Sequence, residues 1–160
     1  MTIKVGDKVP SVKLKQMTAD GMKDVQTEDF FKGKKVVLFA LPGAFTPTCS
    51  AKHLPGFVEK AAEIRGKGVD TIACLSVNDA FVMNAWGKDQ KADGKVQMLA
   101  DGNADFTKAV GLELDARGNG LGIRSQRYAM VVDNGVVKAL NVEKPGSFEV
   151  SSAEAILKAL

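Results

Sequence analysis

A chain of 160 residues with 22 basic and 19 acidic side chains carries a formal charge of +3 and suits one domain, residues 1–160, burying about 70% of its unfolded surface. Its lysines are scattered and aromatic residues make up 6%, so the basic stripe with interleaved stacking rings that marks a nucleic-acid binder is missing. The longest apolar run, Val36 to Leu41, falls well short of the ~18 residues of a membrane span, and the polar start does not read as a secretory signal.

Val12 to Met17 alternates in polarity and runs into Ala19-Asp20-Gly21, which predicts an N-terminal β-hairpin. Thr27 to Phe31 has room for one helical turn. Lys35 to Leu41 is a continuous apolar strand, the pattern of a sheet centre covered on both faces. Pro42 to Thr48 follows as a loop, and Cys49 opens a helix reaching about Lys67, with Leu54, Phe57, Ala61 and Ile64 among its apolar members at helical spacing. Pro55 inside that stretch lacks an N–H and predicts a kink. Val69 to Val77 is the second buried strand, Asp79 begins a helix to about Lys91, Val96 to Leu99 is a third strand, and Ala104 to about Val110 a short helix. Arg127 to Val132 and Val136 to Val142 flank Asp133-Asn134-Gly135, a tight hairpin turn. Ser151-Ser-Ala-Glu154 reads as a capping box opening the last helix, with Ile156, Leu157 and Leu160 as its buried stripe. No repeat, linker or low-complexity segment interrupts this order. Helices alternating with strands, closed by a hairpin, predict an α/β fold with a central mixed sheet flanked by helices.

Cys49 stands out because a thiol at a helix start meets unpaired backbone N–H groups and the positive end of the helix dipole, both of which favour the thiolate. The competing reading is a buried, inert cysteine. Local residues leave both open, although two prolines, a glycine and two threonines do not resemble core packing. Cys74, inside Ile72-Ala73-Cys74-Leu75, reads as strand interior and inert. Two cysteines do not make a secreted disulfide scaffold, so a reducing, cytoplasmic setting is expected. His53, four residues after Cys49, is either a surface or partly buried neighbour of the site or the base of a cysteine–histidine nucleophile pair. One histidine and one nearby thiol are too few for a zinc site, so no metal is expected. Gly118-Asn-Gly-Leu-Gly122 lacks the ending of a phosphate-binding loop and reads as a turn; Phe81, Met83 and Trp86 read as core or interface.

Pro42-Gly-Ala-Phe-Thr-Pro-Thr-Cys49, continuing Ser-Ala-Lys-His-Leu-Pro-Gly-Phe57, closely resembles the active-site segment of the peroxiredoxins, in particular their type II, or peroxiredoxin-five-like, subgroup. The shared pattern Pro-x-x-x-Thr-x-x-Cys falls on Pro42, Thr46 and Cys49. Ala73 to Asp79, Asn84 to Gly87 and Arg127 to Val132 extend the resemblance over nearly the whole chain. It implies a thioredoxin-like fold and a cofactor-free thiol peroxidase that reduces hydrogen peroxide and organic hydroperoxides through a sulfenic acid on Cys49. It further implies that Thr46 sets its hydroxyl against thiolate and peroxide, that Pro42 shields the sulfur, and that Arg127 bonds both sulfur and peroxide. Backbone N–H groups of Gly43 and Cys49 are further donors to the substrate, with Arg124 in a supporting place. Some relatives carry a resolving cysteine where this chain reads Glu149-Val-Ser-Ser152. Cys74 is then a possible resolving thiol, but an external one, glutathione with glutaredoxin or else thioredoxin, is preferred. The resemblance also implies a homodimer through the active-site end, with Phe45 and Trp86 as apolar contributors. Two other functions stay open: a peroxide-sensing redox switch, and a cysteine hydrolase using Cys49 and His53.

Overall fold

The computed structural model describes residues 2–160 and builds outward from two apolar strands. β3 (Lys35–Ala40) and β4 (Thr71–Ser76) are buried along their whole length apart from Lys35, so they can only lie in the middle of a sheet covered on both sides. They pair in parallel, and β5 (Gln97–Ala100) continues in parallel beyond β4. On the other side, β8 (Tyr128–Asp133) runs antiparallel to β3, and β9 (Val136–Val142) antiparallel to β8. Asn134 and Gly135 both take positive φ, 48° and 81°, as the tight turn between β8 and β9 requires. The N-terminal hairpin, β1 (Lys13–Thr18) and β2 (Gly21–Gln26), completes a seven-stranded mixed sheet in the order β2-β1-β5-β4-β3-β8-β9. This is the mixed α/β sheet expected from the strand and helix order, in the thioredoxin-like arrangement that the family resemblance implies.

Side chains alternate across the sheet and split the core into two layers. Val37, Phe39, Ile72 and Cys74 face one layer, closed by α4 (Ala80–Asp89), α6 (Ala153–Ala159) and the helix that follows β3. Val36, Leu38, Ala73 and Leu75 face the other, closed by α1 (Thr27–Phe31) and α5 (Asp105–Ala109). No helix among the described residues is long and apolar enough to cross a membrane.

Three elements depart from expectation. The helix predicted from Cys49 to Lys67 comes in pieces: helical geometry begins at Pro47, Cys49–His53 forms a π-helical turn, and α2 (Leu54–Glu59) and α3 (Ala61–Gly66) are separated at Lys60. In the widened turn the Leu54 N–H reaches back to the Cys49 carbonyl. Pro55 follows directly on this turn, and its missing N–H and the clash of its ring with the preceding turn fall on the residues that widen. At the last helix Ser152, not Ser151, is the cap, accepting from the Ala155 N–H at 3.1 Å, because the Ser151 hydroxyl is engaged elsewhere. A two-stranded ribbon, β6 (Glu113–Asp115) with β7 (Ile123–Ser125), was not anticipated; Gly118–Gly122 belongs to its turn.

Candidate active site

The loop at the C-terminal end of β3 is pinned from three directions. Asn78, just past β4, accepts the Ala44 N–H through Oδ1 at 3.0 Å, and its orientation is set by the Ser76 hydroxyl at 2.6 Å. The Thr46 hydroxyl donates to the Gly43 carbonyl at 2.7 Å, while the Thr46 carbonyl accepts the Ser50 N–H and so starts the helix. Arg124, from β7, donates through Nη1 to the Pro42 carbonyl at 3.3 Å and through Nε to the Leu121 carbonyl. A Cβ on Gly43 would sit 2.8 Å from that Nη1, so the bare backbone at position 43 is what lets the guanidinium lie over the loop.

Cys49 is therefore the third residue of the helix, not the first, and its side chain is fully buried. Its sulfur accepts from Arg127 Nη2 at 3.1 Å. The same guanidinium donates through Nη1 to His53 Nδ1 at 2.8 Å, and its plane lies 5.8 Å over the Phe148 ring. His53 Nε2 lies 2.9 Å from the Ser151 carbonyl. A carbonyl can only accept and a guanidinium can only donate, so these two partners define the tautomer: Nε2 carries the proton and Nδ1 the lone pair. The ring sits among Phe39, Phe57 and Phe148 with centroids 5.0 to 5.7 Å away. Burial, and then the positive charge of Arg127, push its pKa down to about 3, so it is neutral at physiological pH.

His53 thus corrects both sequence readings. It is fully buried rather than partly exposed, and its free lone pair is spent on Arg127 rather than on the Cys49 sulfur. The cysteine–histidine pair needed for hydrolysis is not formed. Trp86 is also buried within the subunit, its Nε1–H donating to the Ser50 hydroxyl at 3.0 Å, which removes it as an interface residue. Phe45 and Phe81 are 55% and 62% exposed. Cys74 lies in the centre of β4 between Phe39 and Met98, in the same core layer as Cys49; burial pushes its thiol well up, and both cysteines are free.

Pro42, Thr48 and Arg127 open from this site onto a cleft of about 320 Å³ that continues along Leu114, Lys144 and Pro145. Among the described residues no cluster of three or more histidine, cysteine, aspartate or glutamate side chains comes together to hold a metal. Sequence reasoning missed the His53–Arg127 contact and the part of Ser151, because the partners stand 74 and 98 positions apart and no local pattern joins them.

The neutral histidine has a consequence for stability. An unfolded chain takes up a proton on His53 near pH ~6.5, whereas the folded chain resists it until about pH 3. Between those values the unfolded state binds more protons, so stability falls as pH drops. The expected loss from this residue is about 3 kcal/mol at pH ~4. Denaturant unfolding at neutral pH and in acid checks it: wild type should lose more stability than His53→Gln, and equal losses would contradict the assignment.

A seven-stranded mixed sheet of this order, flanked by helices, places the chain in the thioredoxin-like class. The redoxin family model matches residues 4–157. Peroxiredoxin-2E of Arabidopsis thaliana, a chloroplastic protein, is 55% identical over 99% of this chain and 70% of its own length. The structure of reduced Prx3 from Vibrio vulnificus in complex with hydrogen peroxide is 59% identical, covers 99% of each chain and superposes with a TM-score of 0.96. Peroxiredoxin 5 from Alvinella pompejana is 37% identical, with 98% of this chain and 97% of that one covered and a TM-score of 0.87. The chain belongs to the peroxiredoxins, thiol-dependent peroxidases, and within them to the type II, peroxiredoxin-five-like group.

Proposed function

We propose that Cys49 is the residue on which this peroxidase activity turns. The carrying observation is the Arg127 Nη2 contact to the sulfur at 3.1 Å, made by a guanidinium that has no carboxylate partner among the described residues. Its charge is left to support a negative sulfur and the oxygen that sulfur attacks. The thiolate forms a bond to one peroxide oxygen as the O–O bond breaks. The other oxygen leaves with a proton as water or alcohol, and Cys49 becomes a sulfenic acid. Thr46 has committed its hydroxyl proton to the Gly43 carbonyl, so its oxygen is left to accept from the peroxide O–H. In this reading Pro42, which lines the cleft, shields the sulfur and the backbone N–H groups of Gly43 and Cys49 add donors, while Arg124 holds the loop through the Pro42 carbonyl.

The second half of the cycle belongs to an external thiol. One thiol condenses with the sulfenic acid, releasing water and leaving a mixed disulfide, and a second displaces the Cys49 thiolate. Two observations support this over a Cys49–Cys74 bridge: Cys74 is hydrogen-bonded into the sheet between two partner strands, and its buried thiol resists ionisation. Glutathione with glutaredoxin, or thioredoxin, is the proposed reductant, in a reducing compartment such as the cytoplasm. Phe45, packed against Trp86, and Phe81 at the start of the same helix support a homodimer through the active-site end.

Continuous peroxide consumption with each reducing system, read beside the mass of the oxidised intermediate, tests this reading. We expect many turnovers and a glutathione or thioredoxin adduct on Cys49. Consumption that stops after one equivalent with every thiol would point to a redox switch, and a Cys49–Cys74 disulfide would overturn the external route.

A further inference from the structure

The guanidinium that meets Cys49 is aimed by a histidine, and that histidine is set by a backbone carbonyl; what sets the carbonyl is Glu143. This residue follows β9 and is 6% exposed. Its Oε2 accepts the N–H groups of Glu149 at 2.8 Å, Val150 at 2.9 Å and Ser151 at 2.8 Å, and the Ser151 hydroxyl at 2.7 Å. Burial pushes its carboxyl up, but these hydrogen bonds outweigh burial and hold it below the usual carboxylate range. Three successive N–H groups gathered on one oxygen force the backbone of residues 149–151 to curl around the carboxylate. That curl presents the Ser151 carbonyl to His53 Nε2 at 2.9 Å.

We propose that Glu143 is a positioning residue for the Cys49 chemistry, acting through Ser151, His53 and Arg127 in turn. The proposal rests on the reading of Cys49 as the peroxidatic sulfur. A neutral imidazole has two tautomers, and only the Nε2–H form can accept from Arg127. With the Ser151 carbonyl in place that form is selected. Without it the Nδ1–H form becomes accessible, setting donor against donor at the 2.8 Å contact and driving Nη1, and with it Nη2, off the site. The Glu143 N–H donates to the Arg127 carbonyl at 2.9 Å, so the relay closes on itself and both its ends ride on the paired β8 and β9 strands.

His53 is the single histidine of the chain, so its ring-nitrogen shifts in NMR report the tautomer without assignment ambiguity. Wild type is expected to show Nε2–H alone. Glu143→Gln turns an amide NH2 or a weaker acceptor toward the three N–H groups. We expect it to mix the tautomers and slow Cys49 oxidation by peroxide about tenfold or more. Glu143→Asp, which keeps the charge on a shorter stem, carries the same test if the glutamine variant does not fold. Asp101→Asn serves as a control, since Asp101 caps α5 through the Phe106 and Thr107 N–H groups and lies outside the relay. It should lower stability and leave tautomer and rate alone. A folded Glu143 variant with an unmixed Nε2–H histidine, or with a mixed histidine and the wild-type rate, overturns the proposal. Wild-type Cys49 inert to peroxide beside a correct tautomer would instead strike the reading of the site.

Discussion

Cys49→Ser protein is expected to consume hydroperoxide no faster than buffer containing the same thiol reductant, a fall on the order of 10⁴-fold or more. Serine is close to cysteine in size, so the buried position stays filled and its hydroxyl can accept from Arg127 where the sulfur did. What disappears is a nucleophile that ionises and polarises easily; a serine hydroxyl keeps its proton at neutral pH. Unfolding by denaturant should change little, which separates lost chemistry from lost structure. Cys74→Ser is the informative counterpart. It places a hydroxyl in the interior of β4 and should destabilise by about 1–3 kcal/mol while leaving the activity of the folded fraction unchanged. Activity that survives Cys49→Ser and vanishes in Cys74→Ser would exchange the two assignments.

Arg127→Gln is expected to slow oxidation of Cys49 about 10²- to 10³-fold. Glutamine is shorter, neutral and carries one amide, so it cannot reach the sulfur and His53 together as the guanidinium does at 3.1 and 2.8 Å. The variant also strands the His53 lone pair in a fully buried site, at a cost of about 1–3 kcal/mol in stability. Arg127→Lys, which restores charge without the fork, should fall between the two. Stopped-flow fluorescence can follow the reaction through Trp86, the single tryptophan, whose indole N–H bonds to Ser50 beside the reactive cysteine. A wild-type rate in Arg127→Gln would remove the guanidinium from the chemistry.

What could be read from the residues themselves was local, and the pairing of Arg127 with Cys49 came only through the family resemblance. The unbroken apolar runs of β3 and β4 announce a two-faced sheet centre, Asn134-Gly135 announces its hairpin, and the Pro42–Cys49 segment carries its own pattern. What could not be read depends on partners brought together by the fold. Leu54, Phe57, Ala61 and Ile64 all follow the π turn and keep helical spacing across the Lys60 break, so periodicity alone reports one regular helix. The capping-box spacing to Glu154 favours Ser151, and only the Glu143 carboxylate, which claims that hydroxyl, passes the cap to Ser152. The three-residue strands of the β6–β7 ribbon are too short to show alternation. His53 draws notice in the sequence by its spacing from Cys49, yet its place is decided by an arginine and a carbonyl from the far half of the sequence.

The most direct test treats reduced wild-type protein with one equivalent of hydrogen peroxide in the presence of dimedone, which traps sulfenic acids, and locates the adduct by mass spectrometry. The account predicts one adduct per chain, on Cys49, with Cys74 unmodified. An adduct on Cys74, or unreacted peroxide with both thiols intact, would contradict it.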